Sequence, residues 1–164
     1  AEHTIDLGLI EAPAKLGGLT SQICCEDELR VICAPDYPLA EMQEVTPSVL
    51  EEYEFISREP GSGTREITDA YFRSHHVAPE SLKMQMELGS PEALKGVVST
   101  GLGFAIVSRA VVNKELQLGD LVSIPLNPPL TRSLYLVYPQ DRFQSRLCAT
   151  FIEFAKSKLK ELAL

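Results

Sequence analysis

From Glu54 to Leu118 the chain repeats one local grammar: a short β-prone run, a turn carrying glycine or serine, then apolar residues at helical spacing. Glu54-Phe55-Ile56-Ser57 leads through EPGSGTR into REITDAYFRSHH, where Ile67, Ala70 and Tyr71 share a helical face. Lys83 to Leu88 leads through Gly89-Ser90-Pro91 into EALKGVVST, which Gly101 stops. Phe104 to Val107 leads through Ser108 into RAVVNKEL, which ends before Gly119. Strands that alternate with helices in this way build an α/β fold. Each helix returns the chain to the edge where the next strand begins, so neighbouring strands run parallel.

Around that stretch, strands are predicted at Ile5 to Ile10, Leu29 to Ala34, Leu121 to Leu126 and Ser133 to Tyr138. Thr46-Pro47 starts a helix that runs to about Tyr53, with threonine as cap and proline at the first position. A last helix is predicted from about Gln144 to the end, with Leu147, Phe151, Phe154, Ala155, Leu159 and Leu162 on one face. The segment NPPLTR, Asn127 to Arg132, reads as a connection between lobes. The expected division is a lobe over 27–130, flanked by 1–26 and 131–164, which together form part of a second lobe. A lobe owning one N-terminal strand and one C-terminal helix reads as cut from something longer. The alternative is a small complete sheet with an edge strand at its start.

Composition removes several functional classes. A net charge of −8 and the absence of a basic stripe argue against nucleic-acid binding by these 164 residues. The densest basic run, Lys156, Lys158 and Lys160, is balanced by Glu153 and Glu161 on a solvated helix face. No apolar run is long enough to span a membrane, and the start of the chain lacks a secretory signal pattern. Cys24, Cys25, Cys33 and Cys148 form no CxxC pair and read as reduced thiols of a cytoplasmic protein. A metal site using Cys24, Cys25, His75 and His76 runs against the usual ligand spacing, so neither metal nor cofactor is expected.

The three hydroxyl-bearing turns carry the chemistry. In a parallel sheet they fall along the carboxyl edge of the strands, where helix first turns leave N–H groups unpaired and partly positive. Ser62, Gly63 and Thr64, with Ser90 and Ser108, are therefore candidate ligand contacts, although each hydroxyl alone could simply cap its helix. Each helix end offers an anion about 0.3–1 kcal/mol, and each hydrogen bond to a charged group about 1.5–3 kcal/mol. Several together reach the roughly 8 kcal/mol of micromolar binding. A small polar or anionic metabolite fits that sum.

Catalytic readings fit less well. EPGSGTR lacks the lysine of a phosphate-binding P-loop, has Pro60 where a nucleophile elbow needs glycine, and has Glu66 where a dinucleotide fingerprint needs glycine. His3 is terminal, and His75 and His76 sit at the far end of their helix from the turn, so no catalytic residue is expected.

In order and spacing, DLGLIEAP, ELRVICAPDYPLA, FISREPGSGTRE, ELGSPEALKGVVSTGLGFAIVSRAVV, LGDLVSIPL and SLYLVYPQDR resemble the effector-binding domain of LysR-type transcriptional regulators. The resemblance runs from Ile5 to the final helix. It implies a periplasmic-binding-protein-like two-lobe architecture with mainly parallel sheets, one lobe here being incomplete. It also implies a small-molecule effector bound between lobes, assembly as a homo-oligomer, and DNA contacts made only through an N-terminal domain outside these residues. Positions matching the family's cleft are Glu11, Ser62, Gly63 and Thr64. A carboxylate at Glu11 would repel an anion unless it is paired, for which Arg58 or Arg65 are candidates; the alternative is a plain surface glutamate at a strand end. The rival readings are a transport-type solute-binding protein and an enzyme on the same fold.

Overall fold

The structure is a computed structural model that describes residues 6–11, 17–140 and 146–162, with side chains described as far as residue 158. The order of elements is β1 (Gly8–Ile10), β2 (Leu19–Cys33), α1 (Pro47–Leu50), β3 (Glu54–Arg58), α2 (Gly63–Ser74), β4 (Lys83–Leu88), α3 (Pro91–Val98), β5 (Ala105–Ser108), α4 (Asn113–Leu118), β6 (Val122–Ile124), β7 (Leu130–Pro139) and α5 (Arg146–Leu162). Short 3-10 turns occupy Pro38–Glu41, Pro79–Ser81 and Arg109–Val112. The chain divides into two compact units, one made of 28–130 and the other of 1–27 with 131–164.

In the unit over 28–130, β3 pairs parallel with β4, from Glu54↔Lys83 to Arg58↔Leu88. A parallel bridge, Phe55↔Phe104, joins β3 to the start of β5. These strands are parallel because α2 and α3 each return the chain to the starting edge. The later part of β2 instead runs antiparallel to β5 (Leu29↔Ser108) and to β6 (Val31↔Ile124). The sheet is thus α/β and mixed. The parallel expectation holds where helical crossovers connect strands, and not for β2, which no such crossover delivers.

Side chains alternate across this sheet, and both faces are covered. Val31, Phe55, Phe104 and Ile106 pack with Leu50 of α1 and with Tyr71 and Phe72 of α2. Their neighbours Ile32, Ile56, Ala105 and Val107 pack on the other side with Leu94 and Val98 of α3. Burial on both faces explains why these strands read as continuous apolar runs.

In the other unit β1 pairs antiparallel with β7, from Gly8↔Val137 to Ile10↔Tyr135. The β7 strand also neighbours β2, and the Cys24 thiol donates to the Leu134 carbonyl at 3.2 Å. Cys24, Cys25 and Leu136 form a small core with Leu134 and with Ala155 of α5. Of the predicted face of α5, Ala155 packs on this core while Leu147, Phe151 and Phe154 are 80%, 52% and 57% exposed, and the buried residue is Ile152, which the predicted face does not include.

Two boundaries differ from expectation. The β2 strand begins at Leu19, ten residues before the predicted Leu29, because the acidic run Glu26-Asp27-Glu28 hides its periodicity. The helix after Pro47 ends at Leu50 and not near Tyr53. Ile5 and Gln144, the predicted starts of the first strand and last helix, lie outside the described residues. Among the described residues, no helix is long and apolar enough to cross a membrane.

Candidate functional site

The sheet of the 28–130 unit brings three turns to one edge. Continuing the Arg58↔Leu88 register sets Glu59 beside Gly89, and continuing the Phe55↔Phe104 bridge sets Ser108 level with the same glutamate. The Glu59 N–H donates to the Leu88 carbonyl at 3.2 Å, tying the first turn to the end of β4. Ser62 to Thr64 and Ser90 therefore follow the ends of β3 and β4, and Ser108 is the last residue of the neighbouring β5. Glu11 belongs to the other unit.

The first turn is built by Pro60 and Gly61. The Ser62 N–H donates to the Glu59 carbonyl at 3.2 Å, and Gly61 adopts φ +87°. With proline second and glycine third, this is the geometry of a type II turn, whose third position excludes most side chains. It delivers Ser62 as the N-cap of α2 with extended backbone, but the Ser62 hydroxyl makes no capping hydrogen bond to the helix. The residue is nonetheless buried, with 9% of its surface exposed. The first N–H groups of α2 have no partner within the helix, as at any helix start. The Thr64 carbonyl accepts the Thr68 hydroxyl at 2.8 Å, which stiffens this turn of helix.

The other two hydroxyls act as caps. Ser90 Oγ accepts the Ala93 N–H at 3.1 Å, with Pro91 at the first helical position. Ser108 Oγ accepts the Ala110 N–H at 3.2 Å. After Ser108 the chain forms the 3-10 turn Arg109–Val112 and then the short α4, in place of one continuous helix. Both hydroxyls use a lone pair in the cap.

Charges near the turns are already partnered. Arg58 donates from Nε and Nη2 to the Glu59 carboxylate at 2.8 and 2.9 Å. These bonds hold the Glu59 carboxyl below its ordinary pKa. Arg65 donates to the Arg58 carbonyl at 3.1 Å and pairs with Glu87 and Asp69. The β1/β7 register sets Glu11 diagonally across from Arg132, whose Nη1 lies 2.7 Å from Glu11 Oε1.

Two charged centres were not found from the sequence. Arg132 also bonds Asp27, from Nε to Oδ2 at 2.8 Å, and both side chains are about nine-tenths buried. Lys95 lies behind the Ser90 and Ser108 turns, buried, with Nζ 2.8 Å from Glu115, 3.0 Å from Glu92 and 3.1 Å from the Val111 carbonyl. A lysine inside the apolar run EALKGVV was the available signal for the second. The first left none, since its partners are far apart in the chain.

His75 lies at the C-terminal cap of α2, twelve residues from Gly63, or about 18 Å along the helix. Its Nδ1 contacts the Tyr71 carbonyl at 2.8 Å. It is out of reach of the serine turn, and His3 is outside the described residues. Among the described residues, no group of three or more His, Cys, Asp and Glu side chains is placed to hold a metal ion. Burial, followed by the neighbouring Cys24, pushes the Cys25 thiol up to about 11, which keeps it protonated and unreactive at neutral pH.

The family model described as the LysR substrate binding domain matches residues 1–160. The HTH-type transcriptional regulator YeiE of Escherichia coli K12 is 40% identical over 155 residues, covering 93% of this chain and 51% of that protein. The RuBisCO operon transcriptional regulator of Acidithiobacillus ferrooxidans is 34% identical over 155 residues, 94% of this chain and 49% of its own. The chain thus spans about half the length of the curated relatives it matches. Among solved structures, the regulatory domain of Synechocystis CcmR in complex with 2-PG aligns with a TM-score of 0.81 at 28% identity, over 93% of this chain and 73% of that one. The effector-binding domain of QuiR in complex with shikimate shares the fold, with a TM-score of 0.77 at 21% identity over 93% of this chain and 71% of its own.

Proposed function

The chain belongs to the LysR substrate-binding domain family, and from that premise we propose that it is the effector-sensing part of a cytoplasmic LysR-type transcriptional regulator. It takes a small polar or anionic metabolite at the carboxyl edge of the 28–130 unit, on Ser62, Gly63, Thr64, Ser90 and Ser108. Glu11, the remaining candidate, sits in the other unit. In this reading 27–130 is one lobe, and 1–26 with 131–164 are parts of the other. The binding of 2-PG by the CcmR regulatory domain supports an effector of this kind.

One observation carries the reading. Ser62 heads a twelve-residue helix on a glycine-built turn, is buried, and spends its hydroxyl on no cap. A serine kept for capping alone would make that bond. Effector binding acts by differential affinity: it favours one conformation of the domain, and so biases how the whole regulator, assembled as a homo-oligomer, presents its DNA-binding parts. The chain is read as a binding module and not a catalyst, because among the described residues no histidine lies within reach of the serine turn, and its acidic neighbours are held by arginine.

The test is ligand-linked stability. Sulfate, phosphate or a small carboxylate should raise the melting temperature with the logarithm of concentration above Kd. Thr64→Ala should weaken that response by about 1–2 kcal/mol of lost hydrogen bonding, and Ser157→Ala on α5 should leave it intact. Equal behaviour of the two variants would reduce the turn to a helix start.

A further inference from the structure

We propose that Lys95 is a positioning residue of the effector site: it clasps the turns that follow β4 and β5 to one another, across the Ser62 turn that lies between them. The inference takes its ligand from the proposed function and rests on that reading.

Strand order creates the need for a clasp. On one side β3 pairs with β4, and on the other it meets β5, so the turn of Ser62 to Thr64 is flanked by those of Ser90 and Ser108. Two strand spacings, about 10 Å, separate the flanking turns. With β3 between them, β4 and β5 cannot fix that spacing by a ladder of their own. Helix α3 crosses the gap. It starts at the Ser90 turn, and its Leu94 and Val98 pack with Ile56 of β3 and with Ala105 and Val107 of β5.

Lys95 completes the crossing. Its side chain is 9% exposed, and its three ammonium protons meet three acceptors. These are Glu92 at 3.0 Å, Glu115 at 2.8 Å and the Val111 carbonyl at 3.1 Å. Glu92 lies in the opening turn of α3, two residues from Ser90. The other two follow Ser108: Val111 is in the 3-10 turn, and Glu115 is in α4. A tie between α3 and α4 needs Glu115 alone. The bond to Val111 holds the backbone of the turn itself, ahead of the Val112 N-cap of α4. One residue earlier, the Ala110 N–H donates to Ser108 Oγ at 3.2 Å. A ligand gripped from several turns depends on their spacing, because hydrogen bonds weaken steeply as their geometry departs from ideal.

The experiment is a calorimetric sulfate titration of the 164-residue chain, at constant ionic strength against chloride and well below the melting temperature. Lys95→Met combined with Glu115→Gln keeps the net charge of the parent, so a change in affinity reports geometry and not the field. Sulfate should bind this double variant about tenfold more weakly, the worth of one hydrogen bond to a charged group. Hydrogen exchange supplies the readout that a merely structural role would not move. The Ala110 amide should exchange faster, while the Ala93 amide, bonded to Ser90 within α3, keeps its rate. Parent-like sulfate affinity overturns the assignment, as does a loss of affinity with both amides unchanged or both equally faster. Should the double variant fail to fold, the parent decides. By reciprocity a ligand that needs the clasp also tightens it, so sulfate should slow exchange of the Lys95 ammonium protons, and a rate that sulfate leaves alone overturns the assignment. Thr64→Ala separates the two readings. Weaker sulfate binding in Thr64→Ala beside parent-like binding in the double variant removes this inference alone. Parent-like binding in both removes the proposed function and this inference with it.

Discussion

Gly103 passes so close to Glu54 that a Cβ at position 103 would lie 2.4 Å from the Glu54 carbonyl oxygen. The same carbonyl accepts the Phe104 N–H at 2.9 Å, so the contact is part of the join between β3 and β5. Gly103→Ala should cost about 1–3 kcal/mol in urea unfolding, since backbone and not a flexible side chain must move. Gly96, inside α3, has open space where its Cβ would be. Gly96→Ala should stabilise by about 0.5–1 kcal/mol. A Gly103→Ala protein as stable as the parent would mean that β3 and β5 do not approach so closely.

Ser62 and Ser90 occupy equivalent places at the starts of α2 and α3, yet only Ser90 makes the cap bond. Ser90→Ala should lower stability by about 1 kcal/mol. Ser62→Ala should cost clearly less, while diminishing the anion-dependent rise in melting temperature. The two variants compared by thermal unfolding, with and without sulfate, separate a cap from a contact. A large stability loss at Ser62 with an unchanged sulfate response would make it structural.

Lys95 and Glu115 tie α3 to α4 at 2.8 Å. The hydrogen bond from Lys95 is the main reason that the Glu115 carboxyl is lowered from 4.5. Burial works to lower the Lys95 pKa, but its bonds to Glu115 and Glu92 prevail and raise it. A carboxyl depressed on folding contributes stability above its unfolded value, and loses it as pH falls through its folded value. Lys95→Met should therefore cost about 1–3 kcal/mol at pH 7, and less at an acid pH low enough to protonate Glu115 in the folded chain. Denaturant unfolding at both pH values checks it; a cost equal at the two would assign the loss to packing.

Leu147, Phe151 and Phe154 form an exposed apolar stripe on α5, and the two aromatic rings lie 6.4 Å apart. Such a surface drives association in water. The 164-residue chain should self-associate with rising concentration in sedimentation equilibrium, and Phe151→Glu should shift it towards monomer without loss of far-UV dichroism. A monomeric parent at high concentration would show that the stripe is covered.

Much of the fold was legible because its signals are local. The strand, glycine–serine turn and helix at Phe55, Gly61 and Ile67 are specified within about twenty residues, and so are those around Ser90 and Ser108. The parallel edge is a consequence of helical crossovers. The early part of β2 was illegible, since Glu26, Asp27 and Glu28 look like a solvated loop until their partners are known. Glu28 pairs with Arg30 at 2.9 Å, and Asp27 is buried against Arg132. The candidate site was legible as positions and not as states. Ser62 and Ser90 read alike in sequence, and only geometry separates an uncommitted hydroxyl from a cap.

By itself the sequence determined the alternation of strands and helices and the placing of three hydroxyl-bearing turns at strand-to-helix junctions. Each depends on propensity and periodicity within a few turns of chain, so neighbouring residues suffice to set it. Only the tertiary structure decided that β2 runs against β5 and β6, that Phe151 and Phe154 face outward, and that Glu11 answers to Arg132. Asp27 and Arg132 are 105 residues apart. A contact of that separation has no local signature, because which charge meets which is settled by strand register after the chain has folded back on itself.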